Sequence, residues 1–176
     1  HWGARVKAVD LLQVDGRFEM KRCHLLTPTI AYETWGTLTP RADNAVLIFT
    51  GLSPSAHAAS SEKDPSAGWW EDMIGSGKPL DTDRYFIVCV NSLGSCFGST
   101  GAASLDPATQ QPYRLTFPVL TVEDIANSAS HVLDHLGIGQ LHTVVGASMG
   151  GMTALAFTLN HASRCRRLVS ISSAAR

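Results

Sequence analysis

Four short runs of uninterrupted apolar residues constrain this chain more than any other feature. Ala45-Val-Leu-Ile-Phe-Thr50, Tyr85-Phe-Ile-Val-Cys-Val90, His142-Thr-Val-Val145 and Leu168-Val-Ser-Ile171 are rich in β-branched and aromatic side chains at consecutive positions. A strand with one wet face alternates apolar and polar residues. A strand without alternation is covered on both faces, as in a parallel sheet. Between the second and third runs the spacing predicts a helix, with Thr121 as its cap, Asp124 at the third helical position and Gly137 as its stop. Val122, Ile125, Ala126, Ala129, Val132, Leu133 and Leu136 share one arc of roughly 120° at the helical period. A second helix is expected from the Gly146 to Gly150 turn to about Asn160. Two alternating segments, Arg17 to His24 and Thr29 to Thr34, read as half-buried antiparallel strands, and Gly36 and Pro40 punctuate the turn that follows them. Buried strands alternating with helices define an α/β architecture with a largely parallel sheet.

A length of 176 residues suits one domain with a substantial core. The hydrophobic share of 44% and charged share of 16% describe an ordinary folded chain, and a formal charge of -1 gives no reason to expect nucleic acid or an anionic membrane as partner. No stretch approaches the roughly 20 apolar residues of a membrane span, and no signal peptide is recognisable. Cys23, Cys89, Cys96 and Cys165 form no C-x-x-C pair and no zinc-ligand spacing, so Cys89 reads as a core residue and a reducing cytoplasm as the default compartment. The first residue is His rather than Met, which reads as a trimmed or partial chain. Arg164, Arg166 and Arg167 look like a helix end meeting its macrodipole. The Gly-, Ser- and Pro-rich stretch from Leu93 to Leu120 is long for a connection in a compact domain, and such loops are usually functional.

The segment that carries chemistry is Val144-Val145-Gly146-Ala147-Ser148-Met149-Gly150-Gly151, which matches the G-x-S-x-G nucleophile elbow. A serine perched on a sharp strand-to-helix turn has its hydroxyl pushed above the sheet edge. Side chains two positions before and two after would collide with adjoining backbone, so glycine is needed there. The following helix aims its amides and positive dipole end at the site, which favours a developing oxyanion. A bare G-x-S-x-G is a weak signal in a chain with 15 glycines. The apolar strand before it and the helix after it make it specific, against the alternative of a glycine-rich turn with an incidental serine. In folds built on such an elbow, one oxyanion amide comes from the residue after the nucleophile and one from the loop after an earlier strand. Here those are the amide of Met149 and one within Gly51-Leu52-Ser53, although an ordinary turn before Pro54 fits the second segment too.

Other candidates are weaker. His131 and His135 lie four apart on the polar side of the predicted helix with no third ligand, so they read as solvated histidines and no metal is expected. Gly75-Ser-Gly-Lys78 has the wrong glycine spacing for a phosphate loop, and Pro79 stands where a hydroxyl is required. Trp69 and Trp70 read as packing residues.

Gly51-Leu-Ser-Pro-Ser-Ala-His57, Gly68-Trp-Trp70, Gly77-Lys-Pro-Leu-Asp-Thr82, Asn91-Ser-Leu-Gly94, Gly98-Ser-Thr-Gly101, Phe117-Pro118, Thr121-Val-Glu-Asp124 and Gly146-Ala-Ser-Met-Gly-Gly151 together resemble the homoserine O-acetyltransferases and their serine- and succinyl-using relatives. The match runs in order from about Tyr32 to the last residue. The resemblance implies the α/β-hydrolase fold, incomplete at the C-terminus, with residues 1–176 forming the N-terminal portion of one domain. It implies an acyl-CoA-dependent O-acyltransferase acting by ping-pong transfer. Ser148 takes an acetyl or succinyl group, Leu52 and Met149 supply oxyanion amides, and the side-chain hydroxyl of L-serine or L-homoserine collects the acyl group on the way to cysteine or methionine. Acyl-CoA is then a co-substrate rather than a bound cofactor, and a homodimer is one option for the complete protein. The resemblance places the triad acid, the triad histidine and the arginine for the acceptor carboxylate well after the elbow. Only His161 follows Ser148, roughly 20 Å away along the helix at about 1.5 Å per residue, so this chain alone is expected to be inactive.

One departure bears on the acceptor. Relatives that use homoserine commonly read Leu-Thr-Gly-Ser-Ala-His where this chain reads Leu52-Ser53-Pro54-Ser55-Ala56-His57. A proline ring beside the acyl-serine narrows the pocket. Gly51, Ser53, Pro54 and Ser55 are therefore the expected acceptor-specificity residues, with L-serine favoured over L-homoserine. Two other readings stand beside this one: a serine hydrolase of the same fold that passes the acyl group to water, and a non-catalytic binding or dimerisation module.

Overall fold

A computed structural model describes residues 9–174. In chain order the strands and helices are β1 (Asp10–Gln13), β2 (Arg17–Glu19), β3 (His24–Leu26), β4 (Thr29–Trp35), β5 (Ala45–Phe49), β6 (Ile74–Gly75), β7 (Leu80–Asp81), β8 (Phe86–Val90), α1 (Val122–His135), β9 (Thr143–Ala147), α2 (Met149–Asn160) and β10 (Leu168–Ile171). Six strands form one sheet in the order β1-β4-β8-β5-β9-β10. β8, β5, β9 and β10 run parallel, and β4 and β1 add an antiparallel edge. All four uninterrupted apolar runs are thus parallel strands of the same sheet.

Their lack of alternation has the anticipated cause. Along β5, Leu47 and Phe49 enter a core with Ile125, Ala129, Val132, Leu133 and Phe157, whereas Val46 and Ile48 enter a second core with Ile74, Ile87, Cys89 and Val145. Both described α-helices lie on the first face, where the Phe49 and Phe157 rings meet at 5.8 Å between centroids. The opposite face is covered by an irregular segment carrying Ala58, Ala59, Trp70 and Met73. Cys89 is fully buried there.

Helix α1 has the caps its sequence announced. The Thr121 hydroxyl accepts from the Asp124 amide at 3.3 Å, and the Asp124 carboxylate accepts from the Thr121 amide at 2.9 Å. At the other end, Gly137 takes φ 71°. There the Ile138 and Gly137 amides donate back to Leu133 (2.8 Å) and Asp134 (3.1 Å), which closes the helix in a Schellman turn.

Three expectations are corrected. Arg17 to His24 is not one strand: Arg17–Glu19 folds back on His24–Leu26 as a separate two-stranded hairpin, so an alternating pattern hid a turn. Arg164, Arg166 and Arg167 lie beyond the end of α2, and Arg164 serves α1 instead, donating to the Ile138 carbonyl at 2.6 Å and pairing with Asp134 at 2.9 Å. His131 is half-buried against Phe18, with ring centroids 5.5 Å apart, rather than solvated, although His135 is exposed as expected. The long 93–120 stretch is stitched to β4, the Ser99 hydroxyl accepting from the Ala31 amide (3.0 Å) and donating to the Asn91 carbonyl (2.8 Å). Among the described residues no helix is long and apolar enough to cross a membrane, and no group of side chains is arranged to hold a metal.

Candidate active site

Ser148 links the end of β9 to the start of α2 with φ 55° and ψ −124°. That conformation is costly for a residue with a Cβ, on the order of 1–3 kcal/mol, and persists only where the surroundings impose it. Here they do. The Ser148 amide donates to the Ile171 carbonyl of β10 at 2.9 Å, and its own carbonyl accepts from Gly151 at 3.0 Å and Met152 at 3.3 Å.

The neighbouring glycines let the turn close. A Cβ on Gly146 would sit 2.0 Å from the Gly150 oxygen, and one on Gly150 would sit 2.3 Å from the Phe49 oxygen. Gly151 has no more room, with Ser173 at 2.7 Å. The Gly150 contact matters most for the site, because it presses the first turn of α2 against the end of β5. There the 51–56 loop begins. A Cβ on Gly51 would lie 3.8 Å from the Ala147 oxygen, so this loop abuts the elbow.

The Ser148 side chain is exposed and makes no capping hydrogen bond. The amides of Leu52 and Met149 have no acceptor among the described residues. The Leu52 side chain is 80% exposed, Ser53 is exposed, and Met149, Gly51, Pro54 and Ser55 are half-buried. The 12-residue α2 directs its positive end at Ser148, with no acidic residue in its first turn to oppose it. A hydroxyl at such a turn, at the positive end of a helix, can take an acyl group once a base removes its proton.

No described histidine is hydrogen-bonded to Ser148. His161 caps the far end of α2 and meets Asn127 at 3.0 Å, and burial, then Arg164, hold its imidazolium below the usual range. His142 precedes β9, at the opposite end of that strand from Ser148. His57 is engaged at both ring nitrogens, with Glu33 and with Ser66. A polar cleft of about 840 Å³ lined by Glu33, Trp35, Lys63, Glu71, Lys78 and Asp83 contains none of the elbow or 51–55 residues.

The model of the alpha/beta hydrolase fold family matches residues 44–175. The chain belongs to that family. Among its relatives within the α/β-hydrolase fold, the serine O-succinyltransferase of Litchfieldella anticariensis is 63% identical over 147 residues, covering 84% of this chain and 40% of the relative. That of Xanthomonas campestris pv. campestris is 61% identical over 146 residues, covering 83% and 38%. In solved structures, esterase E22 superposes with a TM-score of 0.87 at 32% identity, covering 96% of this chain and 48% of that one. The homoserine O-acetyltransferase from Bacillus anthracis gives 0.86 at 29%, covering 94% and 46%. The chain thus spans about 40% of the length of the curated relatives it matches.

The α/β-hydrolase fold brings together two segments the sequence had singled out, the elbow and the 51–55 loop. Sequence reasoning missed two supports of that loop. The Trp69 indole N–H donates to the Ser55 carbonyl at 2.9 Å while its ring stacks on Trp70 at 5.2 Å, so Trp69 does more than pack. Glu33, buried on β4, meets His57.

Proposed function

We propose that the protein carrying this chain is an O-acyltransferase that moves a succinyl group from succinyl-coenzyme A to the side-chain hydroxyl of L-serine through an ester on Ser148. The observation that carries the reading is the strained, exposed Ser148 at the β9–α2 junction, abutted by the loop that begins at Gly51, with the Leu52 and Met149 amides free of acceptors among the described residues. The two serine O-succinyltransferases at 61–63% identity support the choice of acyl group and acceptor.

The Ser148 oxygen attacks the thioester carbonyl as its proton passes to a base. The amides of Leu52 and Met149 donate to the resulting oxyanion, whose charge is greater than that of the ground-state carbonyl, so they favour the transition state over the substrate. The C–S bond breaks, and coenzyme A leaves with the proton. The acceptor hydroxyl then attacks the ester, its proton goes to the same base, and Ser148 is restored. The reading requires the base from outside residues 9–174, as the chain order of serine before acid before histidine in such folds demands. Gly51, Ser53, Pro54 and Ser55 line the approach of the acceptor. Four free cysteines suit a reducing, cytoplasmic setting.

Transfer to water is the second reading, favoured by the likeness to esterase E22. Coenzyme A release from succinyl-coenzyme A, measured with and without L-serine, separates the two. Release that depends on serine and yields O-succinylserine supports transfer. Equal release without any amino acid supports hydrolysis.

A further inference from the structure

The 51–56 loop has to hold the Leu52 amide still, yet its own backbone does little to fix it. No amide from Gly51 to Ser55 donates a hydrogen bond among the described residues. The loop therefore takes its shape from its two ends and from Trp69, whose indole N–H holds the Ser55 carbonyl at 2.9 Å. At one end the Thr50 and Ser92 hydroxyls meet at 3.2 Å. At the other stands His57, whose amide donates to the Ser55 hydroxyl at 3.2 Å. Its ring lies between two acceptors: Nδ1 is 2.9 Å from the Glu33 carboxylate and Nε2 is 2.9 Å from the Ser66 carbonyl. A carbonyl oxygen only accepts, so Nε2 carries a hydrogen. With Glu33 ionised, its carboxylate also only accepts, so Nδ1 carries one too. The pair side chains are 16% and 7% exposed, and Glu33 stands on β4 opposite Cys89 of β8, inside the sheet rather than on a loop.

We propose that the His57 imidazolium, clamped between Glu33 and the Ser66 carbonyl, is a positioning residue that sets the backbone of the 51–56 loop and with it the oxyanion amide of Leu52. The proposal rests on the reading of that amide given above. A neutral ring carries a single N–H, so on deprotonation either Glu33 or the Ser66 carbonyl would face a lone pair and the clamp would open. Burial disfavours the charged ring, but the hydrogen bond to Glu33, the Ser66 carbonyl and the charges of Glu33 and Asp64 outweigh it and hold His57 above the usual imidazole range. Burial raises Glu33, against His57, with Asp64 and Asp10 adding to the rise. Of the other charged groups nearby, Lys63 is paired with Asp10 at 3.0 Å, and the Ser66 hydroxyl donates to Asp64 at 2.6 Å. The clamp is closed between those two raised values, and it opens as pH climbs through that of His57.

The test is the rate of Ser148 acylation by succinyl-coenzyme A in the full-length protein across pH 6–10, for the native protein, Glu33→Gln and Ser148→Ala. Glu33→Gln keeps the size and the acceptor oxygen while removing the charge. The expected result is an alkaline limb moved down by about one pH unit and an acylation rate lowered about 10-fold at pH 8, with KM for the thioester within about twofold. A purely structural role would not move the limb. A folded Glu33→Gln protein with an unshifted profile overturns the proposal. Should that variant not fold, nitrogen-15 histidine spectra of the native protein decide: His57 protonated at both nitrogens at pH 7 and titrating with the alkaline limb supports the clamp, and a neutral His57 at pH 7 overturns it. Ser148→Ala separates the two claims. Undiminished acylation there removes the reading of the elbow and this proposal together, whereas lost acylation there with an unmoved limb in Glu33→Gln removes this proposal alone.

Discussion

In the proposed transfer to L-serine, Pro54 is the residue whose side-chain volume would set the length of the acceptor. Its Cδ lies 3.7 Å from where a Gly51 Cβ would be, beside the turn that abuts the elbow. Reacting atoms must approach to about 3–3.5 Å, so a ring that pushes back an acceptor longer by one methylene lowers rate as well as binding. Pro54→Gly in the full-length protein is expected to shift the kcat/KM ratio from L-serine towards L-homoserine, within the roughly 10–200-fold that one methylene commands. An unchanged ratio with activity retained would end the pocket argument. Glu71 offers a residue-scale test of the fold. Its carboxylate accepts from the Gly68 amide at 3.0 Å and from the Ser60 hydroxyl and amide at 2.7 Å each, and these bonds lower it from the ordinary 4.5 to about 2. A depressed folded value means that its contribution to stability is complete above 4.5 and is lost as pH falls from there towards about 2. The melting-temperature gap between the native protein and Glu71→Gln should therefore be wider at pH 7 than at pH 3. A gap independent of pH would contradict this account. At this scale Gly146, Gly150 and Ser148 were legible because a tight turn writes its needs into adjacent positions. Glu33 with His57 was not, because the partners are 24 residues apart and each alone reads as an ordinary polar residue.

Helix α1 is the element the sequence described best, because its cap, stop and apolar arc are all local signals. What the sequence did not disclose is that Asp124 works twice. Beyond the capping box, its Oδ1 accepts from the Lys21 amide at 2.8 Å, tying the β2–β3 hairpin to the helix start. Asp124 is fully buried, so its loss strands two backbone donors. Asp124→Ala is expected to destabilise by about 2 kcal/mol, against about 1 kcal/mol for Thr121→Ala, which removes only the cap. Equal effects in urea denaturation would mean that the Lys21 bond contributes nothing. The hairpin itself was misread for a reason of the same kind. Its strands are three residues each, too short for alternation to reveal where one ends and the next begins. The arginine cluster read as a helix end without saying which helix, and only the fold shows that the chain carries Arg164 back to the end of α1 rather than leaving it on its sequence neighbour α2.

On the scale of the whole molecule, the arrangement is a sheet whose parallel strands deliver two loops to one edge. β5 and β9 are neighbours, with Phe49 paired to Gly146, so the loop after one and the elbow after the other meet without any long-range device. The strand order carried no local signal; the two segments were paired beforehand because folds with such an elbow take one oxyanion amide from the loop after an earlier strand. The covering of the second face by an irregular segment could not be anticipated, since Ala58, Ala59 and Trp70 carry no periodicity that announces a layer. In the proposed transfer, Ser148 is the residue that is acylated. The most direct measurement is mass spectrometry of the full-length protein quenched during turnover with succinyl-coenzyme A and digested. The predicted result is a succinyl mass increment on the peptide bearing Ser148, absent from Ser148→Ala. An increment on Ser53, Ser55 or Ser99 with Ser148 unmodified would contradict it.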